Sequence, residues 1–145
     1  MSIHALPKWL IYALASAFFA SLTAIFGKIG VSHINSNLAT FIRTIIILLV
    51  SALIITARSE WQKISFKSNW DLIFLILSGI ATGFSWLCYY RALQLGPASK
   101  VAPIDKLSVA ITIFLSFLVL NEQISWSSIL GGTLIIAGSL IIVLF

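Results

Sequence analysis

Leu38-Ala39-Thr40-Phe41-Ile42-Arg43-Thr44-Ile45-Ile46-Ile47-Leu48-Leu49-Val50-Ser51-Ala52-Leu53-Ile54-Ile55-Thr56-Ala57 is the stretch on which the fold turns. It is apolar almost without interruption and matches the ~20 residues a helix needs to cross bilayer hydrocarbon. Its apolarity is continuous rather than alternating, and it outruns an ordinary strand. Lipid offers the backbone no hydrogen bonds, so a spanning segment of this kind bonds itself as a helix. Four similar runs surround it, from Trp9 to Phe26, Leu72 to about Tyr90, about Val101 to Leu120, and Ile129 to Phe145. The fourth span in chain order is interrupted by Asp105-Lys106. The expectation is an all-α membrane protein, a five-transmembrane-helix bundle forming one domain over residues 1–145.

Composition agrees. Of 145 residues, 60% are hydrophobic and 9% charged, against about 25% charged in an average soluble domain. Mean hydropathy is +1.09. A small soluble domain cannot hide that much apolar surface, which argues against a soluble enzyme, a nucleic-acid binder and a disordered segment. The net charge of +5 comes from nine basic residues scattered among apolar runs. They form no stripe for a nucleic-acid partner and suit membrane lipid headgroups instead. The single Cys88 has no internal disulfide partner and fits no CxxC pattern, so it reads as a small packing residue.

The connections are short. Gly30 suits a helix stop and Asn35-Ser36-Asn37 the next cap. Arg58 to Trp70 is the longest and most polar loop, Gly96-Pro97 breaks the chain after the third run, and Asn121 to Ser128 precedes the last. None leaves room for a separate catalytic module. Lys8 followed by an apolar run with Ala15-Ser16-Ala17 has the look of a signal peptide, but the apolar stretch continues well past that point. With five spans, the N-terminal side carries Lys8, Arg58, Lys63 and Lys67, and the other carries Lys28 and Lys100, with Arg91 and Lys106 at helix ends. So small a bias barely orients the protein and is compatible with insertion both ways. Trp9, Trp61, Trp70 and Trp126 fall where an interfacial belt on the N-terminal side places them, whereas Trp86 lies inside the third span.

Ionised residues within spans are costly and mark functional sites by default. Arg43, Arg91, Asp105, Lys106 and Lys28 gather in the half of the membrane away from the N-terminus. Asp105 neutralises one cation, and the positive excess suits an anionic or zwitterionic ligand. The structural alternative is that Lys28, Arg91 and Lys106 snorkel to headgroups while Asp105 pairs with Arg43 or Lys106. Asp105, Ser108, Thr112 and Ser116 share a helix face, as a polar path or as a packing seam. Pro103 falls in the first turn or so of that helix, where a local break is tolerated. Gly83, Trp86 and Tyr90 share a face of the third helix, with Tyr89 beside them. Such rings beside cations hold an organic substrate by stacking and cation–π contact, or simply fill the core. Gly79 and Gly83, the stripe Ala13, Ala17, Ala20 and Ala24, and Gly131, Gly132 and Gly138 read as helix-packing positions. His4 and His33 lack a second ligand nearby in sequence, so no metal site is expected. Glu122 reads as a solvated or capping carboxylate. The first helix holds no carboxylate, which weakens a proton-coupled multidrug-cation reading.

The stretch Arg91-Ala92-Leu93-Gln94-Leu95-Gly96-Pro97-Ala98-Ser99-Lys100-Val101-Ala102-Pro103-Ile104-Asp105-Lys106-Leu107-Ser108 resembles the signature of the EamA-type drug/metabolite transporters. So do Leu120-Asn121-Glu122-Gln123-Ile124-Ser125, then Gly131-Gly132 and Ala137-Gly138, and Asn37-Leu38-Ala39-Thr40-Phe41-Ile42-Arg43-Thr44. The resemblance runs over essentially the whole chain. It implies one half of the ten-helix inverted-repeat fold, in the manner of the short bacterial and archaeal members. Inverted repeats place substrate at their interface, so a single repeat needs a partner; an antiparallel homodimer imitates the full arrangement, and a parallel dimer stays open.

The expected function is a multi-pass inner-membrane secondary transporter subunit. It moves a small polar metabolite, anionic or zwitterionic, by alternating access as a dimer. Arg43 and Asp105 are the main polar site residues, Arg91 and Lys106 tune charge, Trp86 and Tyr90 shape the pocket, and Ser108 and Thr112 line the path. No P-loop is present, no cofactor is called for, and no enzyme activity is expected. The rival readings are a non-transporting membrane subunit of a larger assembly and a flippase for lipid-linked intermediates.

Overall fold

A computed structural model of the chain describes residues 7–62 and 69–145. His4, Lys63 and Lys67 lie outside the described residues. All regular structure among the described residues is helical: α1 (Lys8–Gly30), α2 (Ser36–Ala57), α3 (Asn69–Leu95), α4 (Ala98–Asp105), α5 (Leu107–Leu120) and α6 (Trp126–Leu144). These make five spans, because α4 and α5 together form one, Ala98–Leu120. At most 11% of the central residues of any span are buried within the chain. Most of each span's surface is therefore left to lipid or to another chain.

The helices start and stop for local reasons. The Asn35 side chain accepts from the backbone N–H groups of Asn37 and Leu38 at 2.8 and 3.4 Å, capping α2 as its sequence suggests. Ser125 accepts from Ser128 N–H at 3.1 Å and caps α6. Asn121 ends α5 in the left-handed conformation at φ 54, a region where Asn is several-fold enriched. Gly30 ends α1 without a positive φ. Hydroxyls inside the spans donate to their own helix one turn back: Thr40 to Ser36 O, Thr44 to Thr40 O, Thr56 to Ala52 O and Thr82 to Ser78 O. No orphan hydroxyl proton is then left in lipid at these positions.

The chain divides into two compact units. One comprises residues up to Gly27 with Leu95–Phe145, and the other is Lys28–Gln94. In the first, α4, α5 and α6 pack together. Gly132 lies against α5 so closely that a Cβ there would meet Ile113 Cδ1 at 3.2 Å. Ser139, one heptad further along α6, is buried and donates to Pro103 O at 2.9 Å. In the second unit the buried residues run from Val31 through Ser36, Ala39 and Thr40 to Tyr90 and Leu93. Val31 and Leu93 are the most completely buried large side chains among the described residues.

Several boundaries run past the apolar stretches. α1 continues to Gly30, and near its end Lys28 Nζ donates to Leu93 O at 2.6 Å. α3 continues to Leu95, and the Arg91 and Gln94 side chains are hydrogen-bonded near its end. Gly79 and Gly83 have open space beside them within the chain, as do Gly131 and Gly138. Of these packing candidates, Gly132 is the one pressed against a neighbouring helix.

Candidate functional site

In the Lys28–Gln94 unit, Arg43 sits two turns into α2, on the face that carries Ser36 and Thr40. Trp86 and Tyr90 stand one turn apart on α3. The Arg43 guanidinium carbon lies 4.0 Å from the Trp86 ring centroid and 5.2 Å from that of Tyr90. Tyr89 meets Tyr90 edge to face, with centroids 6.3 Å apart. The two rings hold the cation over their π-faces. The guanidinium is a planar fork of N–H donors. Arg43 Nη1 is buried and has no hydrogen-bond partner. A buried donor left unpaired costs about 1–3 kcal/mol, more when charged. An oxyanion that accepts from the fork removes that cost, and carboxylates and phosphates fit it bidentately.

Toward the end of α3, Arg91 Nη1 donates to Gln94 Oε1 at 2.6 Å. Gln94 Nε2 in turn donates to Ile34 O at 2.9 Å and Val31 O at 3.2 Å. Arg91 therefore spends a donor on its own helix, and Gln94 ties the α1–α2 turn to α3.

In the other unit, Asp105 and Lys106 meet at the junction of α4 and α5, Lys106 Nζ 3.4 Å from Asp105 Oδ2. Of the two pairings open to Asp105, the structure shows the one with Lys106. Ser108 Oγ donates to Asp105 O at 2.7 Å, Thr112 Oγ1 to Ser108 O at 2.8 Å and Ser116 Oγ to Ile113 O at 2.9 Å. Each hydroxyl proton is used by the helix itself, so the row offers lone pairs rather than donors. Lys100 Nζ reaches Val143 O near the end of α6, at 3.5 Å.

Arg43, Trp86 and Tyr90 are thus brought together, and Asp105, Lys106, Ser108 and Thr112 form a second cluster. Sequence reasoning missed Gln94 and Ser139. Their signal is faint: a lone amide in the last turn of an apolar helix, and a serine seven residues after a glycine.

The family model of the EamA-like transporter family matches residues 7–144. The chain belongs to this family. An uncharacterized transporter in the cobO 3' region of Sinorhizobium sp is 49% identical over 138 residues, covering 95% of this chain and 98% of that protein. An uncharacterized protein of Methanocaldococcus jannaschii is 31% identical over 83 residues, 57% of this chain and 61% of that one. No solved structure matches the chain. Its five apolar spans are the number in one EamA half-unit, and it is a multi-pass membrane transporter.

Proposed function

We propose that this EamA chain is a single-domain, non-enzymatic secondary transporter subunit of the inner membrane. It carries a small polar metabolite with an anionic group, zwitterions included, by alternating access. Arg43 anchors the anionic end and Trp86 and Tyr90 hold the organic body. The Asp105–Lys106 pair, with Ser108 and Thr112, offers a second polar locus, and no cofactor takes part. A single repeat requires a second to enclose a substrate, and an antiparallel homodimer supplies it. The observation that carries this reading is the buried, unpartnered Nη1 of Arg43 on two aromatic faces. A buried guanidinium nitrogen without an acceptor is a poor permanent resident of a membrane and a good receptor for an oxyanion.

The test is thermal unfolding of the purified protein against separate pools of carboxylates, phosphorylated metabolites, amino acids, sugars and organic cations. Ligand bound to the native state raises the midpoint by mass action. At least one anion-bearing pool is expected to raise it, and Arg43→Ala to remove the rise. Stabilisation by cations or sugars alone, or by no pool, overturns the assignment. Proteoliposomes containing only this chain decide its role. Saturable uptake fits a carrier, no uptake with any binding pool fits a non-transporting subunit, and movement of a phosphate-bearing lipid alone fits a flippase.

A further inference from the structure

The aromatic-clamped Arg43 lies below a ring of polar contacts that no part of the transport scheme above uses. Lys28 Nζ holds Leu93 O at 2.6 Å. Gln94 Nε2 holds Val31 O and Ile34 O, and Arg91 holds Gln94 Oε1. Three elements meet there: the end of α1, the turn leading into α2 and the last turn of α3. Close to these contacts along the chain, Val31, Leu93, Ser36, Thr40 and Tyr90 are all buried. Arg43 and Trp86 come one turn further along α2 and α3. Gln94 thus stands one turn beyond Tyr90, at one end of the α2–α3 contact that holds Arg43.

We infer that Gln94 is a positioning residue that latches this end of the α2–α3 contact shut, with Arg91 acting through it rather than on substrate. The inference rests on the assignment of Arg43 as the binding site, whose access the latch controls. The chemistry suits a reversible closure. The bonds are made by a neutral amide to two backbone carbonyls, and both sides find water when they part. The net loss on opening is then small for each bond. Arg91 is exposed, and its charge-assisted bond fixes which way the Gln94 amide faces. With Oε1 on the guanidinium, Nε2 faces the carbonyls of the α1–α2 turn. Of the common side chains of this length, Gln alone joins an acceptor for Arg91 to a donor for the turn, because Glu accepts only and Lys donates only.

The test needs no substrate, so it stands or falls apart from the Arg43 binding experiment. A single cysteine replaces Thr40, which is buried on α2 between the latch and Arg43, in a Cys88→Ala background. A membrane-impermeant maleimide is added to membranes opened to both faces. A second single-cysteine protein, Ala52→Cys, reports the far half of the same helix. Gln94→Glu keeps the size and the Arg91 contact but turns a donor into an acceptor against Val31 O and Ile34 O. It is expected to raise labelling at Thr40→Cys on the order of tenfold, as loss of two ordinary bonds implies, and to leave Ala52→Cys unchanged. Arg91→Ala raises labelling at Thr40→Cys less, and adds nothing on top of Gln94→Ala, since residues that act through one contact are not additive. Unchanged labelling at Thr40→Cys in Gln94→Glu overturns the latch, and so does an equal rise at both cysteines, which marks a general loosening. If Arg91→Ala and Gln94→Ala prove additive, Arg91 does not work through Gln94. Should Gln94→Glu fail to accumulate, Gln94→Ala gives the same comparison without the added charge.

Discussion

Arg43 combines a full charge, a place within a span and a polar atom lacking any partner. Its place over Trp86 and Tyr90 offsets part of the desolvation. The rings and the fork therefore make separable contributions. Trp86→Leu keeps apolar bulk and removes the π-face, and is expected to lower stability by about 1 kcal/mol, read from the unfolding midpoint in detergent. Trp86→Phe should lie between Leu and the wild type. Arg43→Lys keeps the charge but loses the planar pair of donors, so affinity for whichever anion stabilises the protein should fall by roughly tenfold or more. Equal affinity in the lysine variant would show that a point charge suffices. The amino-acid sequence alone makes this trio legible. A cation interrupts an apolar run, and aromatic residues recur at helical spacing on the next span. Gln94 is not legible in that way, because a neutral amide carries no charge signal and one of its carbonyl partners is 60 residues away in the chain.

At the scale of elements, the fourth span is two helices, not one. Pro103 cannot donate to the carbonyl of Ser99, and α4 ends at Asp105. Pro103 O takes Lys106 N–H at 3.1 Å and the Ser139 hydroxyl at 2.9 Å. The charged interruption and the proline made a local break an open expectation, while the serine that braces it comes from another helix. Ser139→Ala should cost about 1 kcal/mol by removing one hydrogen bond in a dry setting. Adjacent glycines on α6 offer a sharper contrast. Gly132 faces Ile113 at close range, and Gly131 faces open space. Gly132→Leu is expected to destabilise the protein by about 1–3 kcal/mol through overpacking, with Gly131→Leu far milder. Unfolding midpoints measured in one detergent compare the pair directly. A reversal of that order would mean that Gly131 meets a partner chain. Their place in an apolar span showed that both glycines belong to packing faces, but not which face turns toward α5.

For the whole molecule, the lipid decides most of what is observed. Trp9, Trp61, Trp70 and Trp126 are strongly exposed, as rings in a headgroup belt are. Trp61 also donates Nε1–H to Thr56 Oγ1 at 2.9 Å, just beyond the end of α2. Basic residues scarcely favour either orientation, which suits an antiparallel pair. Reporters active on opposite sides of the membrane, fused in turn to the C-terminus, should both give signal, and signal from one side alone rules that pair out. Sequence by itself determined the five spans and the family, because continuous apolarity in lipid leaves the backbone one economical solution, the helix. It also marked Arg43, since an ion in hydrocarbon is conspicuous wherever its side chain points. Tertiary structure alone decided what each polar group touches: the rings over Arg43, the turn held by Gln94, the carbonyl braced by Ser139. Those contacts join residues far apart in the chain, and only folding in three dimensions sets their distances and directions.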